Sequence, residues 1–308
     1  MSVDQKERVG LSTLSSPHAD VQYLYQPSYD SLEEGVEGQD YVVVGAGGGV
    51  VLFALCDGVG QSFFGQLAAK FLGDTLLDWL GTLEPVVEQR AVADRLTALL
   101  TGLTAAGQRQ VESYTLPADL APLVRAAWED QRDYGSETMF VCGRLHFGSG
   151  IGDAGARGQC VLCWLGDSEI QVFDHDGAPL DLGADWSSDE RWSTRQGIKG
   201  AKAAHVWTCD LHRIGQIVAY SDGLDRVKDC LIHLVSDPDA LRHEITQLYN
   251  SPQSDDISLV SISPRRLSPP MLLEIDNRWL LGSYTLRWQP VSGAEAYVVE
   301  EALSLIHI

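Results

Sequence analysis

Two hydrophobic periodicities share this chain. Apolar runs at Tyr41–Val44 and Val50–Cys56 flank a glycine cluster and predict a β-hairpin. From Phe64 to Leu83 the apolar positions Phe64, Leu67, Ala68, Phe71, Leu72, Leu76, Trp79 and Leu80 follow helical spacing. A second helix is expected over Pro85–Leu103 and a third over Leu120–Arg132, after the break at Pro117. The period then shortens: Thr138–Leu145, Gln159–Trp164, Glu169–Asp174, Gln216–Tyr220 and Ile257–Ile262 read as strands, with a helix near Pro238–Leu248. Residues 1 to about 36 are polar and turn-rich, which predicts an entering strand and a loop. Residues 183–204, carrying Arg191, Arg195, Lys199 and Lys202, predict a polar surface excursion. Helices grouped mid-chain among non-adjacent strands indicate an α+β class.

The pattern changes beyond Pro264. Residues 265–272 read as a linker, and 279–302 as two alternating strands around a turn, with Trp288 inward beside Leu286. The expected organisation is therefore one domain over 1–264, then a segment over 273–308 that opens an all-β sandwich and is truncated within it.

Composition narrows the function. The chain has 308 residues, with 22 basic against 43 acidic side chains and a formal net charge of −21. So negative a surface repels a phosphate backbone and an anionic bilayer, which argues against nucleic-acid binding and membrane insertion. The N-terminus has no apolar signal-like run, and the longest uncharged stretch, Tyr41–Cys56, is glycine-broken and too short to span a bilayer. Six cysteines make no disulfide framework, and a cytoplasmic location is expected. Cys160 and Cys163 form a CxxC, but strand geometry puts them on opposite faces, against joint metal binding. The glycines of GAGGGV lack the GxGxxG pattern, and no HExxH or GxSxG is present. His146, His205 and His233 read as partly buried structural residues.

The informative chemistry lies in the aspartates. FALCDG, LCWLGDSE and IVAYSDG each run apolar and place one Asp at a strand exit, while SDDISLV places its acids at a strand entrance. Asp57, Asp167, Asp222 and Asp255 are thus hard oxygen donors on rigid elements, suited to Mg²⁺ or Mn²⁺. Any one of these Asp-Gly steps also reads as ordinary turn chemistry.

In their order these motifs resemble the metal-dependent protein phosphatases known as PP2C, particularly the compact bacterial members. The matching segments are Gln39-Asp40, Asp57-Gly58-Val59-Gly60, Gly135-Ser136-Glu137-Thr138, Gly166-Asp167-Ser168, Ser221 to Leu224, and Asp255-Asp256-Ile257-Ser258. The resemblance implies a four-layer αββα sandwich with two antiparallel sheets. It also implies hydrolysis of phosphoserine or phosphothreonine in proteins by a metal-activated water. Asp57, Asp222 and Asp255 would be catalytic through two ions of Mn²⁺ or Mg²⁺. Asp57 would bridge the ions, the Gly58 carbonyl would complete the first site, and Asp40 would act through ordered water. Asp167 matches the position that helps hold a third, weaker ion. Phosphoprotein substrates and a partner Ser/Thr kinase are the implied partners. The segment LRWQPVSGAEAYVVE separately resembles the start of a fibronectin type III domain.

Several positions depart from the PP2C pattern. Gly35 stands where an arginine usually grips the substrate phosphate, with Arg191, Arg195 and Lys199 as candidate replacements. Gln39 replaces an acid, Glu169 an arginine, Arg226 an acid, Asp256 an asparagine, and the Gly-Ser-Thr motif is loosened by Glu137. Three classes therefore stay open: a protein phosphatase, a phosphatase-like regulatory binding protein of weak or no turnover, and a small-molecule phosphomonoesterase.

Overall fold

A computed structural model describes residues 1–118, 120–148, 158–251, 254–265, 272–278 and 283–289. Strands β1 (Val9–Ser15) and β2 (Ala19–Gln26) form a hairpin, followed by the short helix α1 (Tyr29–Glu34). β3 (Tyr41–Gly47) and β4 (Val50–Gly58) follow, turning through Gly48 and Gly49 at φ +57° and +73°. The glycine cluster is thus a hairpin turn that demands left-handed backbone.

The helical stretch is α2 (Gly65–Gly81), α3 (Gln89–Gly102), α4 (Thr104–Ser113) and α5 (Pro122–Arg132). Strands β5 (Glu137–His146), β6 (Gln159–Leu165), β7 (Glu169–Phe173), β8 (Arg191–Ser193), β9 (Gly197–Lys199), β10 (His205–Asp210) and β11 (Gln216–Tyr220) come next. A 3-10 stretch, Asp222–Cys230, runs into α6 (Leu231–Leu234) and α7 (Pro238–Tyr249), and β12 (Ile257–Pro264) closes the unit.

These strands make two antiparallel sheets, ordered β1-β2-β12-β11-β7 and β10-β6-β5-β4-β3, with β8 and β9 attached to the end of β5. Alternation along the strands explains the layering. In β2, Val21, Tyr23 and Tyr25 enter the large core with the facing sheet, whereas Leu24 joins a second core with α6 and α7. β11 divides likewise, Ile217 and Ala219 against Val218 and Tyr220. A strand covered on both faces needs an apolar run, and Ile217 to Tyr220 of β11 form one. Leu72, Leu76 and Leu80 of α2 are fully buried against the other sheet. Helix, sheet, sheet, helix is the expected four-layer α+β sandwich.

Several expectations change. Residues 1–36 form two strands and a helix; β1 is an edge strand with only intermediate or exposed positions, so its apolar signal is weak. α4 was unforeseen because it buries only Gly107 and Val111. Residues 183–204 are no free excursion: Trp192 is fully buried and donates Nε1–H to the Leu100 carbonyl at 2.8 Å, which docks the β8–β9 hairpin.

Beyond β12 the described part is an antiparallel hairpin, β13 (Leu272–Arg278) with β14 (Ser283–Trp288). β13 was not anticipated, and the strand expected near 296–302 lies outside the described residues. Such a hairpin is common to antiparallel domains in general, so it carries no argument for a fibronectin type III module.

Among the six cysteines, Cys163 lies opposite Cys142 and Cys160 opposite Cys209, all without disulfides. His146 and His205 are half-buried, whereas His233 is exposed, contrary to expectation. Among the described residues no helix is long and apolar enough to cross a membrane.

Candidate active site

The acids sit where strands end. Asp40 immediately precedes β3, Asp57 is the penultimate residue of β4, Asp222 follows β11 by two residues, and Asp255 precedes β12 by two. Asp40 and Asp57 thus come from one sheet and Asp222 and Asp255 from the other. All four line one cavity of about 590 Å³, together with Gly58. Asp167, in the β6–β7 turn, is not part of that lining, but its charge reaches both Asp57 and Asp222.

Close backbone packing explains the Asp-Gly step. A Cβ on Gly58 would meet the Gly65 backbone at 2.5 Å and the Gln39 carbonyl at 2.7 Å, so only glycine lets this turn press onto the start of α2. Thr138 Oγ1 donates to the Asp57 carbonyl at 2.6 Å and Ser136 Oγ donates to the Phe64 carbonyl at 2.9 Å. The Gly-Ser-x-Thr segment therefore holds the Asp57 turn from its far side.

The cluster is electrostatically frustrated. Burial, then Asp40, Asp222, Asp255 and Asp167 in turn, push the Asp57 carboxyl well above its ordinary range. Burial and Asp256 raise Asp40 similarly, while Asp222 is pushed up to about 7 by burial and then by Asp255 and Asp167. Asp40 Oδ2 and Asp167 Oδ1 are buried with no hydrogen-bond partner. Buried acceptors crowded together call for a cation. Arg191 is the sole Lys or Arg among the described residues lining the cavity. The donors are all hard oxygens, which fits Mg²⁺ or Mn²⁺. Among the described residues, however, no three His, Cys, Asp or Glu side chains converge into a ready coordination shell.

No family model matches this chain, and no curated protein sequence matches it. Solved structures do. Stp1, a serine/threonine phosphatase from Staphylococcus aureus, is 14% identical at a TM-score of 0.54, over 84% of this chain and 98% of that one. A bacterial serine phosphatase is 15% identical at 0.52, over 81% and 99%. RsbX, solved in complex with magnesium, is 12% identical at 0.53, over 83% and 100%. The fold is the PP2C-like phosphatase sandwich. At such identities the likeness establishes the fold alone.

Placed on the PP2C-like frame, the departures acquire local reasons. Gly35 caps the C-terminus of α1 at φ +64°, donating its N–H to the Leu32 carbonyl, a left-handed position that favours glycine over the usual arginine. Asp256 accepts backbone N–H groups from Ser28, Gln39 and Asp40 with both its oxygens, an acceptor-only role that an asparagine fills less well. Glu169 receives Lys228 Nζ at 3.0 Å and the Tyr220 hydroxyl at 2.6 Å, so the missing arginine is answered by a lysine on another element. Arg226 bonds Ser251 away from the cavity.

Of the basic candidates, Arg191 lies in the cavity wall, whereas Lys199 reaches Glu137 and Arg195 is exposed and outside the lining. Ser28 and Ser31 also line the cavity, although the sequence did not single them out. Nothing in a pair of serines at a helix start distinguishes a binding wall from an ordinary cap.

Proposed function

We propose that this chain is a divergent, slow, metal-dependent phosphatase of the PP2C type, acting on phosphoserine or phosphothreonine in proteins. The observation that carries this reading is the convergence of Asp40, Asp57, Asp222 and Asp255, from the ends of strands in both sheets, on one cavity. Asp57, Asp222 and Asp255 would hold Mn²⁺ or Mg²⁺, the Gly58 carbonyl and Asp40 would complete the shell, and Asp167 would serve a weaker third ion. Bound there, such ions supply an activated water and offset charge developing on the phosphoryl oxygens. The protein's own part is orientation: strand ends and the Thr138–Asp57 bond fix the carboxylates. Arg191, in the cavity wall, would receive phosphate, and slow turnover would follow from the loss of the usual clamp at Gly35.

A second reading, a phosphatase-like protein that binds a phosphoprotein or partner kinase with little turnover, draws on two observations. The carboxylates do not form a ready shell, and the arginine in the cavity wall is already paired with Glu137.

Initial rates of full-length protein on an aryl phosphate and a phosphothreonine peptide, with Mn²⁺, Mg²⁺ and chelator, separate the two. Metal-dependent turnover lost in Asp57→Asn and Asp222→Ala supports the phosphatase. Folded, metal-saturated protein that binds the peptide without turnover supports the second reading. Turnover of the aryl phosphate alone moves the assignment to a small-molecule phosphomonoesterase.

A further inference from the structure

Glu137, the residue that loosens the Gly-Ser-Thr motif, is joined to both sides of the cavity. Its carbonyl accepts the Val59 N–H at 2.9 Å and its own N–H donates to Ser62 Oγ at 3.0 Å, so its backbone is tied to the turn that follows Asp57. Its side chain, only 10% exposed, meets Arg191 Nε at 3.0 Å and Lys199 Nζ at 2.6 Å. Arg191 and Lys199 face each other as register partners across the β8–β9 hairpin, and Glu137 itself pairs with Ser193 of that hairpin. One buried carboxylate therefore connects the Asp57 turn to the hairpin that brings Arg191 into the cavity wall.

The charge arithmetic adds direction. Glu137 neutralises one of the two cations, leaving one positive charge beside a carboxylate-lined cavity. Arg191 Nε lies at ion-pair distance from Glu137 without a hydrogen bond of its own, and no hydrogen bond or ion pair of its two terminal nitrogens is found among the described residues. Its field reaches Asp167, beside the cavity, where it opposes the upward shift of that carboxyl. A planar fork in ion-pair contact at one edge, with its terminal nitrogens unpaired among the described residues, is suited to two parallel bonds to phosphate oxygens.

We infer that Glu137 is a positioning residue: it holds Arg191 with its free edge toward the cavity, where Arg191 takes the phosphoryl group in place of the arginine absent at Gly35. Lys199 serves as the counter-cation that keeps Glu137 stationary. This rests on the proposed phosphatase reading and adds the residue that orients the phosphate.

The test uses full-length protein saturated with Mn²⁺ and titrated calorimetrically with inorganic phosphate, alongside KM and kcat on an aryl phosphate. Arg191→Ala should weaken phosphate binding about tenfold to hundredfold, the range of a charge-assisted bond, and raise KM more than it lowers kcat. Glu137→Gln should weaken phosphate binding by about threefold to tenfold, and the double variant should bind no worse than Arg191→Ala alone. Should Glu137→Gln not fold, Glu137→Asp, which keeps the charge and shortens its reach, carries the same comparison.

A merely structural Glu137 would lower the melting temperature and leave phosphate affinity and KM of the folded variant unchanged, which overturns the inference. Full additivity of the two losses overturns it as well. Wild-type protein that binds Mn²⁺ but not phosphate overturns the inference and leaves the metal reading standing. Wild-type protein that binds no Mn²⁺ removes that reading and the inference with it.

Discussion

Asp256 and Asp40 lie 216 residues apart in the chain, yet the Asp256 carboxylate accepts the Asp40 backbone N–H at 3.2 Å. The same Oδ2 accepts the Gln39 N–H, and Oδ1 accepts that of Ser28 at 2.6 Å. This buried side chain, from the entrance of β12 in one sheet, thus fixes the strand entrance that delivers Asp40 from the other.

Asp256→Ala would strand those donors in a buried position. At about 1–3 kcal/mol for a buried unsatisfied group, with partial relaxation, a loss of roughly 2–4 kcal/mol is expected in denaturant unfolding. Asp255→Ala, at the exposed neighbouring position, should leave stability within about 0.5 kcal/mol and change cation binding instead. Equal destabilisation by both would contradict this division of labour.

Cation binding should grow stronger with pH. The Asp222 carboxyl is raised to about 7 by burial and by Asp255 and Asp167, and Asp40 and Asp57 are raised too. For acids with raised folded-state values, the metal-free protein is favoured below the unfolded value near 3.8 and loses that contribution as pH rises through the folded value. Divalent cations compete with the same protons. The melting-temperature gain on adding Mn²⁺ should therefore be small near pH ~5 and large near pH ~8. A gain independent of pH would mean that these carboxylates are not the ligands.

Phe64 is the one non-glycine residue with positive φ among the described residues, at +48°, and its ring stacks on Trp128 with centroids 4.3 Å apart. Both Phe64→Ala and Phe64→Gly lose that packing, but only alanine retains the left-handed penalty. Glycine should be the more stable of the two by about 1 kcal/mol, the reverse of the order inside a helix. Thermal unfolding of the pair reads this directly.

Glu169 faces Lys228 and the Tyr220 hydroxyl, so introducing the arginine usual at this motif position would oppose two like charges. Glu169→Arg is expected to destabilise by roughly 1–3 kcal/mol. Adding Lys228→Glu should recover part of the loss, read as a coupling energy in a double-mutant cycle. Strict additivity would show that the pair is not coupled.

The share legible in the sequence follows from where the signal is local. β11 (Gln216–Tyr220) and α2 were readable because burial on one side or both imposes a period on adjacent residues. The aspartates were readable because a carboxylate at a strand end beside glycine stands out against an apolar run. β1 and α4 were not, because an edge strand and a lightly buried helix satisfy most of their contacts with solvent and carry little period. The docking of residues 191–199 was missed for another reason: it depends on Trp192, one aromatic in a polar stretch, finding a carbonyl 92 positions earlier in the chain.

By itself, then, the sequence determined the class of elements, the hard-oxygen donors and the places where the PP2C pattern is broken, since each is written in neighbouring residues. Only the tertiary structure decided that Asp256 needs two acceptor oxygens, that Gly35 is a helix cap, that Lys228 answers Glu169 and that Arg191 reaches the cavity through Glu137. Those relations join residues 3 to 228 positions apart. A charge gains its meaning from whichever group burial places against it, and burial is a property of the folded chain.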